Sequence, residues 1–132
     1  CGQEVYRSLI KSFYRNSSLA ILVYSIDNEN SFSDLESWLN EIKTQSNVDI
    51  NIFLIGTKVD LEKERKVQYE TAKEFCDDHG INYFCETSAK TGFNARKVII
   101  DAAKLLYQQH LKHKERISRP ESLSHIETTD DN

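Results

Sequence analysis

The chain has 132 residues, the size of one domain, and carries 17 Lys plus Arg against 21 Asp plus Glu, a formal net charge of −4. With 39% apolar residues and 10% aromatics it is not a disordered chain, and four glycines with one proline exclude collagen, elastic repeats and a long flexible linker. The mild acidity, with a sequence pI near 5.6, leaves no electrostatic footprint for nucleic acid.

Residues 3–14 place Val5, Leu9 and Phe13 four apart, with Tyr6, Ile10 and Tyr14 beside them, a helical stripe that puts Phe13 in the core. Asn16-Ser17-Ser18 breaks it. Leu19-Ala20-Ile21-Leu22-Val23-Tyr24 is the longest apolar run. It is far shorter than the roughly 20 residues a bilayer requires, and without alternation it suits a strand covered on both faces. After the polar loop Asp27-Asn28-Glu29-Asn30, Ser31 as cap and Asp34 in the first turn predict a helix start. Phe32, Leu35, Trp38, Leu39 and Ile42 fall on one face of that helix. Residues 50–55 form a second apolar run, closed by Gly56, and a charged stretch follows at 62–66.

Ala72, Phe75 and Cys76 mark a weaker helical stripe, stopped at His79-Gly80-Ile81 with Gly80 in the left-handed position. Tyr83-Phe84-Cys85 is a third strand core, and Thr91-Gly92 turns the chain. Val98, Ile99, Ala102, Leu105 and Leu106 predict a final helix over about 94–113. Beyond it no period is seen, so the expected organisation is a folded part at 1–113 and a disordered tail at 114–132. Three cysteines, an odd count without framework spacing, argue for reduced thiols in a cytosolic setting. Cys76 and Cys85 read as small buried hydrophobes; a Cys76/His79/Cys85 zinc arrangement lacks a fourth ligand. The absence of methionine means either an initiator removed ahead of Cys1 or a fragment, and Gln3, Glu4 and Arg7 interrupt any signal-peptide core.

Strand, helix, strand, helix, strand, helix is the α/β alternation that builds a parallel sheet with helices on both faces. Ligands of such sheets sit at the carboxyl ends of the strands. After the second strand stands Thr57-Lys58-Val59-Asp60; after the third stands Glu86-Thr87-Ser88-Ala89-Lys90. A carboxylate such as Asp60 accepts two parallel donors, the N1–H and exocyclic amine of guanine. Lys58 can lay its stem on a base plane, and a backbone N–H of Ser88-Ala89-Lys90 can donate to a carbonyl at position 6. Adenine offers neither the amine at 2 nor the carbonyl at 6. Taken singly, Lys58 and Asp60 also fit a solvated turn with a chance ion pair. A flavodoxin-like receiver domain shares the alternation, with Asp27 as its phosphoacceptor, but leaves both loops as coincidences.

Together these stretches resemble a Rab-family small GTPase of the Ras superfamily. TKVD resembles the Asn-Lys-x-Asp motif, and ETSAK the second guanine loop. CGQE resembles the end of Asp-x-Ala-Gly-Gln-Glu. YRSLIKSFYRN and LVYSID resemble the corresponding Rab stretches. The resemblance runs from Cys1 to about Leu111. It implies a three-layer phosphate-loop NTPase-type fold with a mostly parallel sheet. It also implies GTP/GDP as ligand with Mg2+, slow hydrolysis, and a switch in vesicle transport at the cytosolic face of endomembranes. By resemblance, Gly2 offers its N–H to the γ-phosphate and Gln3 orients the attacking water. Thr57, Lys58, Asp60, Ser88, Ala89 and Lys90 hold the base. Val5, Tyr6, Ser8 and Leu9 belong to a mobile switch that effectors, exchange factors and activating proteins read.

Departures are Thr57 for Asn, Cys1 for Ala, Ser25 for Asp and Asn16 for Gly. Thr keeps a hydroxyl but loses an amide, which implies weaker hold on the base. No Gly-x-x-x-x-Gly-Lys can be drawn through glycines 2, 56, 80 and 92. The N-terminal strands, the phosphate loop and the Mg2+ ligands are expected ahead of Cys1, in the missing part of a truncated GTPase. These 132 residues alone are therefore expected neither to bind GTP detectably nor to be well soluble. The first strand's neighbour would also be missing, leaving an apolar edge. No cysteine stands in the last forty residues for a prenyl anchor on this chain. The alternative is a short Rab-like interaction module without hydrolysis.

Overall fold

The computed structural model describes residues 12–46 and 50–118. Within them the order is β1 (Leu19–Ser25), α1 (Glu29–Ser33), α2 (Leu35–Gln45), β2 (Asn51–Thr57), a 3-10 stretch (Val59–Glu64), α3 (Tyr69–His79), β3 (Tyr83–Glu86) and α4 (Ala95–Ser118). The sheet runs β1-β2-β3, parallel throughout, with Leu22 beside Leu54 and Gly56 beside Glu86. It is the expected α/β arrangement.

Alternation along the strands divides the core. Leu22 and Tyr24 of β1 and Leu54 of β2 face Leu35, Leu39 and Ile42 of α2 and Ala72 and Cys76 of α3. Phe53 and Ile55 of β2, with Cys85 of β3, face Val98 and Ala102 of α4. Three layers result, and each buried aliphatic side chain contributes roughly 1.5–3 kcal/mol. The two buried cysteines stand on opposite faces of the sheet, so they share no site. On the α4 side of β1, Ile21 is 43% and Val23 53% exposed. Among the described residues β1 is thus an unpaired apolar edge.

Several boundaries differ from the sequence reading. The helix after β1 is capped by Asn28, whose Oδ1 accepts from the Ser31 N–H at 3.2 Å. Ser31 is spent elsewhere: its hydroxyl donates to the Asn28 carbonyl and accepts from the Ser25 N–H, tying α1 to the end of β1. The helix then breaks at Asp34 into α1 and α2. β2 continues through Gly56 and Thr57, because its ladder to β1 extends to Ser25. Phe13 is 72% exposed, not core. Tyr14, one residue and about 100° further around the helical turn, packs on the core instead. The last helix runs to Ser118, five residues past its expected end. Its exposed extension is rich in Lys, Glu and Arg, which propagate a helix without any apolar period. Residues 119–132 lie outside the described part.

Gly56 is required where it stands. A Cβ there would meet the Tyr24 hydroxyl at 2.6 Å. That hydroxyl is buried with no hydrogen-bond partner among the described residues, and burial and the nearby Glu86 raise its pKa well above the usual tyrosine value. Tyr24→Phe is therefore expected to be neutral or stabilising, since it removes an unsatisfied group without opening a cavity. Chemical denaturation checks this; a loss above about 1 kcal/mol would show that the hydroxyl is bonded.

Candidate guanine-binding site

The register that sets Gly56 beside Glu86 brings the two loops together at the carboxyl edge of the sheet. Three bonds fix them. The Thr87 N–H donates to the Gly56 carbonyl at 2.8 Å, the Val59 N–H to the Thr87 carbonyl at 3.0 Å, and the Ser88 hydroxyl to Asp60 Oδ1 at 2.5 Å. Ser88 is fully buried. Its hydroxyl also accepts from the Thr91 N–H at 3.2 Å.

The second loop is closed by its own turn. Gly92 has φ +80°, the left-handed region that glycine enters without strain. The Ser88 N–H donates to the Phe93 carbonyl, and the Gly92 N–H to the Ser88 carbonyl. The Ala89 and Lys90 N–H groups donate to nothing among the described residues. They are the donors left for a base carbonyl.

Lys58 is left-handed as well, with φ 62°, a conformation that costs a non-glycine residue about 1–2 kcal/mol. This kink turns the chain so that Asp60 faces Ser88. The Lys58 ammonium lies 3.9 Å from Asp27, and both groups are accessible to solvent. Such a pair is worth little, so the lysine stem remains able to leave it for a base plane. Asp27 is bonded by the Ser25 hydroxyl, and that bond, then Lys58, holds its carboxyl below the usual range. The Thr57 hydroxyl donates to the Tyr24 carbonyl at 2.9 Å, linking the loop to β1.

Arg65, read from the sequence only as part of a charged stretch, is the centre of the scaffold. Its guanidinium makes a fork with Glu86 at 2.7 and 2.8 Å, binds Glu62, and donates to the Val67 carbonyl at 2.9 Å. The Lys66 and Val67 N–H groups both donate to the Ile26 carbonyl, which locks the returning chain beneath the end of β1. Bonds to Glu86 and then Glu62 raise the Arg65 pKa further, so it stays charged. Asn94, also left-handed with φ 54°, donates its side-chain N–H to the Glu86 carbonyl at 3.0 Å. Charge counting could not single out Arg65 from Lys63 and Lys66, because the signal lies in its partner 21 residues away.

The arrangement fits a guanine. Asp60 Oδ2 has no hydrogen-bond partner among the described residues, beside the Oδ1 anchored by Ser88. A neighbouring loop presents N–H donors unused among the described residues, and the solvent-accessible Lys58 stem stands alongside. Gly2, Gln3, Val5, Tyr6, Ser8 and Leu9 lie outside the described residues. Among those described, no cluster of His, Cys, Asp or Glu is set to hold a metal.

The family model described as the Ras family matches residues 1–108. Its span includes both loops and the strands that carry them. The two loops are thereby more than the coincidence that a receiver-domain reading requires, and the chain belongs to the Ras family of small GTPases.

Proposed function

We propose that the chain reads the guanine base as a Rab-type GTPase does. In this reading it binds guanine nucleotide, hydrolyses GTP, and switches effector binding in vesicle transport at the cytosolic face of endomembranes. GTPase activity with Mg2+ is general to the family. The observation that carries the guanine reading is the Ser88–Asp60 bond, which poises one carboxylate beside a loop of free N–H donors. The Rab reading rests on residues 6–16 and 22–27, whose sequence resembles Rab stretches. Gln3 would orient the attacking water, and Gly2 would donate to the γ-phosphate. Val5, Tyr6, Ser8 and Leu9 would change contacts with effectors and regulators. Mg2+ and the triphosphate would be held by groups that no described residue supplies in this reading.

Gln3→Leu tests the catalytic assignment. The variant keeps side-chain bulk and removes the group that positions water. In a chain joined to the family's phosphate-loop segment, GTP binding is expected to persist. Single-turnover hydrolysis is expected to slow by on the order of tenfold or more. Equal rates in both forms would remove Gln3 from the mechanism. Co-sedimentation of the GTP-loaded form with endomembrane vesicles, lost with GDP, is the expected result for the transport role.

A further inference from the structure

A cavity lies at the end of the sheet opposite the two loops, between the amino ends of β2 and β3 and the middle of α4, with a volume of about 740 Å³. That is within the range of small-molecule sites, roughly 300–1,000 Å³. Ile52, Leu105 and the Phe53–Tyr83 pair give it an apolar wall. The two rings are stacked at 3.8 Å and 13°, which holds that wall rigid.

Its charge is unlike that of the chain as a whole. Lys43 and Lys104 both line it and form no ion pair with any described residue. Asp101 is the single acid in the lining. It is already held by Lys97 at 2.5 Å and by the Tyr83 hydroxyl at 2.6 Å. Lys97 is the main partner of Asp101 and Lys104 acts on it more weakly, so among the described residues the lysines at this cavity outnumber its one acid, in a chain of net charge −4. Asn82 and Gln108 add side-chain amides that bond to nothing else among the described residues.

We infer that this cavity binds a small organic carboxylate with an aromatic or short acyl body. The body would lie against the apolar wall, and the carboxylate would meet Lys43 and Lys104. An unpaired cation beside an apolar surface favours this class over neutral and cationic molecules of the same shape, because a charge-assisted hydrogen bond is roughly twice as strong as a neutral one. The guanine loops are at the other end of the same strands, so both ligands could be held at once.

The test is a nuclear magnetic resonance titration of the isotope-labelled chain, joined to the family's phosphate-loop segment so that it is soluble and binds guanine nucleotide, with 2-naphthoate, beside 2-naphthylmethylammonium as the cationic isostere. Saturable shifts are expected at residues 50–53, 79–83 and 101–108, and guanosine monophosphate should not displace them. The exposed pair Lys43→Gln with Lys104→Gln should weaken naphthoate by on the order of tenfold, while Lys73→Gln on α3 leaves it unchanged. Equal binding of the ammonium isostere, no loss in the double variant, or displacement by guanosine monophosphate would overturn the assignment.

Discussion

Arg65→Met is expected to cost about 3–5 kcal/mol of folding free energy, which is a large share of the roughly 5–15 kcal/mol that stabilises a domain. The reason is what the substitution leaves behind. The Arg65 side chain is 9% exposed and that of Glu86 10%. Their two-point contact takes both charges out of water together. Methionine fills much of the arginine's space but strands the Glu86 carboxylate without its cation, and a buried charge without a partner is far more costly than a missing contact. Glu62 is accessible to solvent, so losing its bond adds little. Two further variants separate this account from simple loss of packing. Arg65→Lys should fall between, since an ammonium cannot reproduce the fork. Arg65→Met combined with Glu86→Leu should recover most of the loss, because replacing both partners removes the stranded charge. Urea denaturation midpoints read all three. A single-variant loss below about 1 kcal/mol, or a double variant no better than Arg65→Met, would show that the pair is a surface contact.

The parts of this molecule written in neighbouring residues were legible in its sequence. Three apolar runs of strand length gave the sheet, and Gly80 with Ile81 marked the end of a helix that does stop there. TKVD and ETSAK stood out because each begins where an apolar strand run ends, and their first residues, Thr57 and Glu86, close β2 and β3. The parts that depend on partners distant in sequence were not. Ser31 has the chemistry of a cap, but the Ser25 backbone competes for its hydroxyl, and Asn28 takes the cap instead. Phe13 and Tyr14 are adjacent aromatics, and only the packing of the helical turn decides which one the core receives. Arg65 looked interchangeable with its basic neighbours until β3 brought Glu86 to it. The last helix ran beyond its apolar stripe because helix propensity alone sustains an exposed extension. Lys58 offered no sign of its left-handed backbone, although that kink is what aims Asp60.

The largest change in ligand preference is expected from Asp60→Asn, and the Ser88 bond explains why it should switch the base as well as weaken binding. In the native loop the Ser88 hydroxyl donates to Asp60 Oδ1, which leaves Oδ2 as the acceptor for the proposed guanine contact. In the asparagine variant the Ser88 hydroxyl still needs an acceptor, and only the amide oxygen can serve. The oxygen is therefore retained next to Ser88, and the NH2 takes the place of Oδ2. A donor there opposes the exocyclic amine of guanine but meets the position-2 carbonyl of xanthine. A hydrogen bond to a charged group is worth about 1.5–3 kcal/mol, so losing the one at Oδ2 corresponds to on the order of 10–10² in affinity, before the cost of opposing two donors is added. In a chain joined to the family's phosphate-loop segment, GTP affinity should fall by at least that amount and xanthosine triphosphate affinity should rise. The loop scaffold should survive, because Ser88, Thr87 and Arg65 keep their partners, and unchanged thermal unfolding would show it. Competition titrations with the two triphosphates measure the switch. Unchanged GTP affinity would show that Asp60 does not read the base, and weakened binding of both nucleotides together would mean that Ser88 does not fix the amide's orientation.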